Sequence, residues 1–551
     1  MTPRNMWHYI KILLLHKNKK NPMSLSSALK KISLEFTSVL NIFFNLIFID
    51  KYEKTFLNKV NLYEKPFNKI NRETVFIEAI PDYYYLAYYL ATYDQMLKNY
   101  DIIAYWTDDT IHTERKSKNF YIRIYREVRS TIFHFLLKRK WLKLYSSLGV
   151  KTFFDYNEIK KNISHEKQKK LDKKSFKIFS KLRNKKEVLN IKIDKIQCGD
   201  LIYDTYLTFR NEPTVDIKDS FLLKVISRSH TLKYGLESFI KQRKINHFFL
   251  PFSSYIIHGI PAKVALDNNI CVYTDGNYQY NKKLTKTDFR HVENIDNFKK
   301  IFSTLKNKNK KLIFAKHLVQ DHFRESDNKY EKRLYNYMDF NPYGKNTHKN
   351  EKKYDIIIFL PHFFETQREW GKIIFNDFYE WINFTLNFYN KSIYKVAIKL
   401  HPNTYSINPE SLGVVNELKT KYPNFVWLDS KYSNLEIFKK VKFAISPWGS
   451  VLWELAYFGI KSVCIGDYPG KKYNLSYLPK NKKHYEFFLK NFKKLKKNRV
   501  NRNKIFEFIY VYMVNNNDAY DNLARKIEMK KIDFTHSKSL QIVLKKLNFI
   551  K

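Results

Sequence analysis

The sequence predicts an α/β protein built from two doubly wound domains. Two regions of the chain alternate short apolar segments with helical ones, and the apolar segments are continuous runs, as buried parallel strands should be. A polar and charged stretch over 325–352 separates the two regions, and we predict a linker near 340–352. A chain of 551 residues is also too long for one ordinary core, which predicts two or three domains.

Composition excludes several classes of protein. With 44% hydrophobic and 28% charged residues, the chain is globular rather than disordered. Its three cysteines are Cys198, Cys271 and Cys464, which lie far apart, so we expect a reducing compartment and neither a disulfide framework nor a zinc site. The N-terminus lacks the pattern of a signal peptide. The most apolar run, 36–49, is too short to span a bilayer and is expected to form a core helix or an interfacial anchor.

The formal net charge of +47 has two explanations. It could serve an anionic partner, such as a nucleic acid, a membrane surface or a phosphorylated substrate. It could also be compositional, because Lys, Asn, Ile, Phe and Tyr are abundant together, as an AT-rich genome would produce. A basic surface favours an anionic membrane whatever its origin.

The first region contains strand–helix–strand units, which are typical of a parallel sheet. We predict strands over 75–79 and 101–106 around a helix over 82–100, and further strands that begin at 247 and span 270–274 around a helix over 261–269. The remaining predicted parts are a basic helical segment over 1–68, basic helical residues over 120–146, a solvated helix or insertion over 157–196 and a long helical stretch that ends near 243.

The second region repeats this alternation more regularly. We predict strands over 354–362, 394–402, 425–429, 441–446 and 461–466, helices over 373–389, 409–421, 433–440 and 450–458, and basic amphipathic helices over 481–551.

The first candidate for a ligand site is the strand end "VAIKLHPN". In doubly wound sheets, ligands bind at the carboxyl ends of the strands. Lys399 and His401 are two residues apart on a strand, so they should project to the same side, and Pro402 ends the strand. A lysine with a histidine suits a phosphate or a sugar carboxylate. The alternative is a strand-end histidine that packs on the sheet.

The second candidate follows the strand that ends at Ser446. Gly449 permits close backbone approach, and Ser450 is expected to cap the following helix, whose free N–H groups and dipole favour an anion. Glu454 lies about one turn into this helix, where it could accept hydrogen bonds from ribose hydroxyls, and Gly459 is placed to end the helix. The alternative is an ordinary capped helix.

These two motifs resemble the donor half of GT-B glycosyltransferases, in particular bacterial capsule and surface-polysaccharide enzymes, the group that includes the Kdo and sialic acid transferases. In that family a K-x-H-P strand end precedes a G-S…E-A…G helix, and both bind the nucleotide sugar. The stretch 361–381 also resembles the family's segment just upstream. The resemblance therefore implies a donor site formed by Lys399, His401, Pro402, Ser446, Gly449, Ser450, Glu454, His362 and Glu365.

The same resemblance implies two Rossmann-like domains that face each other across a cleft. The expected division is a basic helical N-terminal segment over 1–68, an acceptor-side domain over 69–345, a donor-binding domain over 346–480 and a basic helical C-terminal segment over 481–551. The stretches 199–207 and 253–274 are similar to the acceptor domain of such proteins.

An inverting transfer needs a base for the acceptor hydroxyl, which should come from the acceptor-side domain. Asp204, Asp200 and His258 are the candidates, with a slight preference for Asp204. Asp200 and Asp204 would share one face of a helix, and the alternative role for Asp200 is to cap that helix.

The resemblance implies an inverting glycosyltransferase that extends a surface glycan such as a capsule or lipopolysaccharide. The chain has no D-x-D motif, and we expect neither a metal nor a cofactor, the nucleotide sugar being a co-substrate. Its expected partners are this donor, a glycan or lipid-linked glycan acceptor and the inner face of the cytoplasmic membrane, with the protein located in the cytoplasm.

The alternatives are a glycerol- or ribitol-phosphate transferase of the teichoic acid type, a sugar-nucleotide epimerase and a nucleic-acid-binding protein. The last is disfavoured because the charge is spread along the chain and no recognised binding module occurs.

Overall fold

A computed structural model describes most of the chain. The described residues are 48–60, 73–92, 100–107, 138–274, 282–292, 294–323, 353–401, 411–496, 501–514, 532, 534 and 536–549. The run 36–47, the predicted linker at 340–352 and Pro402 lie outside them.

The first domain is built on a mainly parallel sheet. The described strands are β1 (Thr74–Ala79), β2 (Asp101–Trp106), β3 (Val150–Asp155), β4 (Lys192–Ile193), β5 (Ile196–Gln197), β6 (Ile245–Leu250), β7 (Cys271–Thr274) and β8 (Lys282–Lys283). Their order in the sheet is β3-β2-β1-β6-β7-β8, with β8 antiparallel to β7, while β4 and β5 form a separate antiparallel pair. The chain moves outwards in one direction from β1 to β3 and in the other from β6, so the switch point lies between β1 and β6.

The second domain repeats this arrangement with parallel strands throughout its described part. The strands are β9 (Tyr354–Phe359), β10 (Val396–Lys399), β11 (Val426–Leu428), β12 (Val441–Ser446) and β13 (Lys461–Cys464). Their order is β11-β10-β9-β12-β13, which places the switch point between β9 and β12. The predicted fold class, α/β with two Rossmann-like sheets, is therefore confirmed.

Helices connect the strands and cover the faces of both sheets. The described α-helices are α1 (Lys51–Val60), α2 (Tyr83–Thr92), α3 (Tyr156–Lys161), α4 (His165–Ser180), α5 (Lys185–Leu189), α6 (Gly199–Arg210), α7 (Ser220–Lys241), α8 (Tyr255–Asp267), α9 (Phe298–Thr304), α10 (Lys308–His322), α11 (Phe378–Tyr389), α12 (Ser411–Lys421), α13 (Asn434–Phe438), α14 (Val451–Tyr457), α15 (Lys482–Asn491), α16 (Arg502–Ile509) and α17 (Lys538–Lys546). Residues 138–146 are also helical.

Alternation along β1 shows how the strands build the two cores. Val75 and Ile77 point to one face of the sheet and join the core formed with α2. Phe76 points to the other face and joins the core formed with α6, α7 and α8. Glu78 is two residues after Phe76 and therefore also points towards α6, α7 and α8, although it is a carboxylate in an apolar strand.

Residues near both ends of the described part pack on the first domain, and residues 295–323 pack on the second. Residues of α1 and α17 join the core of the first domain, and the Ser537 hydroxyl hydrogen-bonds to Asp50. Residues 295–323, which the sequence assigned to the first domain, instead pack with α14 and α16 on the second. Phe298 and Phe302 of α9 and Ala315 and Val319 of α10 are buried by that contact. Among the described residues, no helix has the length and apolarity needed to cross a bilayer.

A buried ion pair ties α1 to the first domain. Glu53 lies 2.6 Å from Nζ of Lys140, which belongs to the helical residues 138–146, and it accepts a hydrogen bond from the Tyr83 hydroxyl. Both charged side chains are almost completely buried, and burial raises the pKa of Glu53, with Lys140 partly offsetting the effect.

We expect Lys140→Met to lower the free energy of unfolding by about 3–5 kcal/mol, because it leaves the Glu53 carboxylate buried without its cation. Urea denaturation followed by circular dichroism measures the loss. The double variant Glu53→Leu/Lys140→Met should recover most of it, since an apolar pair of similar volume replaces a buried ion pair with little loss. Equal destabilisation by the single and double variants would contradict this account.

Candidate active site between the two domains

Several predicted donor-site residues meet at the carboxyl edge of the second sheet. β9 leads into His362, β10 leads into His401, and β12 ends at Ser446. β9 lies between β10 and β12, so these ends are adjacent at the switch point. The rings of His362 and His401 lie 6.4 Å apart, and Nδ1 of His362 lies 3.9 Å from Oε1 of Glu365.

The electrostatics of the K-x-H motif differ from those of an exposed cationic pair. Lys399 is buried, and its ammonium donates to the carbonyl of Asp429 at 2.9 Å and to the carbonyl of Ser430. Burial lowers the pKa of Lys399 to about 7, with Asp429 partly offsetting the shift. Burial and the neighbouring Lys399 lower the pKa of His401 to about 4, so His401 is neutral at pH 7. Lys399 thus ties β10 to the turn after β11, and His401 can donate a hydrogen bond but not a full positive charge.

The turn after β12 is shaped by internal hydrogen bonds and by one glycine. The Ser446 hydroxyl donates to the carbonyl of Trp448 at 2.7 Å. Gly449 has φ +111°, in the region that favours glycine, and a Cβ added there would meet no atom within 4 Å. Ser450 occupies the N-cap position of the helix as predicted, but it has helical backbone angles and its side chain makes no capping hydrogen bond. Both Gly449 and Ser450 are exposed at this edge.

Gly459 and Glu454 are the remaining residues of the motif on α14, and only Gly459 is placed as predicted. Gly459 ends the helix as predicted, with φ +70° and hydrogen bonds from its N–H to Ala456 and from the N–H of Ile460 to Leu455. Glu454 is completely buried, and its Oε1 lies 3.4 Å from Nε2 of His322 at the end of α10. Glu454 was expected to accept hydrogen bonds from ribose hydroxyls, but its carboxylate lies against His322 instead.

At the switch point of the first sheet, a histidine and a carboxylate form a close pair. Nδ1 of His258 on α8 lies 2.5 Å from Oε1 of Glu78 at the end of β1. Burial raises the pKa of Glu78, and the neighbouring His258 partly offsets this effect. Glu78 is fully buried, whereas the His258 side chain keeps 9% of its surface exposed. The carboxylate therefore orients the imidazole from behind, in the manner of a base and its orienting acid.

A second histidine extends this group towards the other domain. The backbone N–H of His291 donates to the Ser253 hydroxyl at 2.8 Å, and the ring of Phe252 packs edge-on against both His291 and His258. On its far side, Nε2 of His291 lies 3.1 Å from Oε1 of Glu369, which belongs to the second domain.

Asp204 also lies at the domain interface. It is buried on α6, and Nη1 of Arg368 donates to its Oδ1 at 3.1 Å. Burial raises the pKa of Asp204 to about 7, Arg368 opposes the shift, and the charge of Asp200 adds to it. Asp200 is not the cap of α6, because Cys198 occupies that position. The Asp204 side chain keeps 5% of its surface exposed, against 9% for His258, and each is held by a partner, Arg368 for Asp204 and Glu78 for His258.

The segment 361–377 joins the two sets of residues. It begins beside His362, carries Arg368 and Glu369 to the first domain, and accepts a hydrogen bond from Thr208 to the carbonyl of Phe364 at 2.7 Å. It ends at Asp377, whose Oδ2 accepts hydrogen bonds from the hydroxyls of Tyr203 and Thr214. The switch points of the two sheets are therefore held on either side of one interface.

Sequence reasoning missed four residues of this site, namely Glu78, His291, Arg368 and Glu369. Glu78 left a usable signal, because a single acid inside the apolar run 75–79 must find a buried partner. The other three belong to loops, where no periodicity marks them.

Comparisons with known proteins add little to this geometry. No family model matches the chain, and no curated protein does. Solved structures that match include UDP-GlcNAc 2-epimerase from Neisseria meningitidis (10% identity, 83% of this chain and 98% of that one, TM-score 0.22), Thermosulfurimonas dismutans KpsC, a beta Kdo 2,7 transferase (12%, 50% and 80%, TM-score 0.28), and a UDP-glucosyltransferase from Polygonum tinctorium (10%, 88% and 99%, TM-score 0.22). At these TM-scores the matches carry no argument, so the fold assignment rests on the strand order and the function on the site.

The raised pKa of Asp204 can be tested by comparing the pH dependence of stability in the wild type and in Asp204→Asn. A folded-state pKa raised to about 7 means that Asp204 stabilises the fold fully below its ordinary pKa, and that this contribution is lost as pH rises towards 7. The stability of the wild type relative to Asp204→Asn should therefore fall between pH 5 and pH 7, by at most about 1.4 kcal/mol per pH unit. Urea denaturation at several pH values measures this difference. Parallel pH profiles for the two proteins would contradict the shift.

Proposed function

We propose that this chain is a glycosyltransferase. In this proposal the second domain binds a nucleotide sugar at the 446–450 turn with His362 and His401, and the first domain presents an acceptor hydroxyl to His258. The supporting observation is the placement of the Glu78–His258 pair and of the donor residues at the switch points of two doubly wound sheets, joined by the segment 361–377. Ligands of such sheets bind at these positions.

The His258–Glu78 pair supports the chemistry on the acceptor side. With its Nδ1–H donating to the Glu78 carboxylate, His258 would have Nε2 available to accept the proton of the acceptor hydroxyl. The acceptor oxygen would form a bond to the anomeric carbon of the sugar as the bond from that carbon to the phosphate oxygen breaks. The nucleotide would leave with the electron pair of that bond, and the proton would remain on His258, where Glu78 stabilises the imidazolium.

On the donor side, the groups that face the edge are largely uncharged. His401 would donate a hydrogen bond as a neutral imidazole, and the backbone of Gly449 could approach a phosphate closely because it carries no Cβ. Lys399 would act indirectly, by holding the turn after β11 and by its proximity to His401. We propose an inverting reaction in which such protein donors, rather than a metal, stabilise the leaving phosphate.

The acceptor in this proposal is a growing surface glycan or a lipid-linked glycan, used at the inner face of the cytoplasmic membrane. A phosphotransferase of the teichoic acid type would instead leave a nucleoside monophosphate and transfer a phosphoalcohol. Analysis of the product therefore separates the two reactions.

The donor site can be tested by a thermal-shift screen of the wild type against CMP-, UDP-, GDP- and CDP-linked sugars. The matching donor at 100 times its Kd should stabilise the protein by about 2.7 kcal/mol. Gly449→Val should weaken that donor at least about tenfold, because a β-branched residue disfavours the positive φ of the turn and its side chain would occupy the space of the phosphate.

The matched control for this variant is Gly459→Val. Gly459 also has a positive φ, is also exposed and also has open space around its Cβ position, but it lies at the opposite end of α14. The control should lower the melting temperature and leave donor affinity unchanged. Equal loss of affinity in both variants would show that strain alone explains the effect, and a wild type that binds no nucleotide sugar would refute the proposed function.

Replacing the proposed base should reduce turnover without reducing donor binding. His258→Gln should lower the rate of nucleotide release from the donor identified above by about 10²–10⁴-fold, the usual contribution of a general base. Glu78→Gln should lower the same rate and shift its pH profile, because the amide orients the imidazole without stabilising its charge. Wild-type rates in His258→Gln would transfer the role of base to Asp204 or Asp200.

A further inference from the structure

Helix α10 carries two adjacent large apolar residues on its outer face. Ile313 and Phe314 are 56% and 45% exposed, and neither belongs to the core that the inner face of α10 forms with the second domain. The other exposed large apolar side chains among the described residues are not neighbours of one another in the sequence, and isolated exposed residues are normal on a protein surface. The adjacent pair on α10 therefore needs an explanation that the isolated residues do not.

The packing of α10 fixes the direction of this pair. Ala315 and Val319 are buried in the contact with α14 and α16, so they define the inner face of the helix. The opposite side carries exposed residues with the spacing i, i+3, i+4 and i+7, which are Lys310, Ile313, Phe314 and His317. The apolar pair thus lies on a solvent-facing stripe with cationic neighbours.

The chain around this pair is uniformly basic. Residues 297–320 contain seven lysines and no aspartate or glutamate. Four of these lysines are exposed on α10 and the loop before it and form no side-chain contact with a described residue, and they are Lys306, Lys308, Lys310 and Lys316. The nearest acids in the sequence are Asp296, which lies 3.0 Å from Nζ of Lys472, and Asp321 in the last turn of α10. The four ammonium groups are therefore available to an external anionic surface.

The outer face of α10 backs onto a helix of the proposed donor site. At the end of α10, Nε2 of His322 lies 3.4 Å from Oε1 of Glu454 on α14, the helix that follows the 446–450 turn. At its beginning, Nζ of Lys311 lies over the ring of Tyr510, 5.3 Å from the centroid. α10 is thus fixed to the second domain at both ends, with α14 on its inner side.

We propose that the outer face of α10, together with the loop before it, docks on an anionic lipid bilayer. Ile313 and Phe314 would enter the interfacial region of the bilayer, and the four exposed lysines would lie among the phosphate headgroups. The inference deepens the proposed function, because it specifies the surface through which the chain meets the membrane that bears its acceptor.

The residue types on this face favour a bilayer over a protein or a nucleic acid. Protein interfaces are enriched in arginine and depleted in lysine, whereas the charged side chains of 297–320 are all lysines apart from His317. Single-stranded nucleic acids are bound in basic grooves on stacked aromatic rings, whereas Ile313 and Phe314 project from the convex side of a helix. Apolar residues flanked by lysines on an exposed helix are the usual pattern of an interfacial helix.

Co-sedimentation of the full chain with lipid vesicles tests this docking. The wild type should bind phosphatidylcholine vesicles that contain phosphatidylglycerol, bind pure phosphatidylcholine vesicles much more weakly, and bind less in added salt. Ile313→Ser/Phe314→Ser should weaken binding to the acidic vesicles at least about tenfold, because it removes the inserted apolar surface. Lys310→Gln/Lys316→Gln should weaken it about 25-fold, since each lysine near an anionic surface contributes about fivefold.

Two control variants remove comparable groups from other parts of the surface. Phe176→Ser/Ile393→Ser removes two exposed apolar side chains that are not adjacent, and Lys169→Gln/Lys173→Gln removes two exposed lysines of α4. Both controls should bind acidic vesicles as the wild type does, and circular dichroism checks that every variant folds. A control that weakens binding as much as its counterpart on α10 would overturn the proposal, as would a wild type that binds both kinds of vesicle equally.

Two other occupants of this face give different results. If Ile313→Ser/Phe314→Ser converts a dimer to a monomer in sedimentation velocity but keeps vesicle binding, the occupant is a second copy of this chain. If Lys310→Gln/Lys316→Gln loses affinity for DNA but keeps vesicle binding, the occupant is a nucleic acid. Either result would overturn the proposal. Vesicle binding is measured without nucleotide sugar and donor binding without vesicles, so failure of this inference is distinguishable from failure of the proposed function.

Discussion

The arrangement of the two domains depends on Asp377, a fully buried carboxylate at the start of α11. It caps this helix by accepting from the N–H of Glu380 at 2.7 Å, and it also accepts from the hydroxyls of Tyr203 and Thr214, each at 2.5 Å. A buried carboxylate without such donors would be strongly destabilising. Because two of its donors come from the first domain, Asp377 fixes the helix and the interface together, and separating the domains here would remove both hydroxyls.

The segment that ends at Asp377 connects the carboxyl edges of the two sheets. Asp377 ends the same segment that begins at His362, and within it Arg368 pairs with Asp204 and Glu369 pairs with His291. A displacement of the segment would therefore move His362 and two contacts with the first domain at once. The proposed base His258, in contrast, is held from within its own domain by Glu78.

The sequence predicted most strands because buried parallel strands appear as continuous apolar runs. It missed the two-residue strands β4, β5 and β8, and it missed β3, an edge strand in which Lys151 and Thr152 are exposed, so the apolar run is broken. The apolar residues of α9 and α10 show that these helices must pack, but not on which sheet. Pairs such as Glu78 with His258 join distant parts of the chain, and no local pattern identifies both members.

The motifs that first indicated a ligand site divide into supporting and exposed parts. Lys399 donates to two backbone carbonyls, and Glu454 lies against His322, so both side chains support the edge of the sheet. A buried lysine is expected to find such acceptors, since an uncompensated ammonium there would be costly. Gly449 and Ser450 remain exposed at the same edge, and a neutral His401 lies beside the buried lysine. Residue type and spacing therefore indicate the carboxyl edge of the sheet, but only burial shows which side chains support this edge and which groups are exposed there.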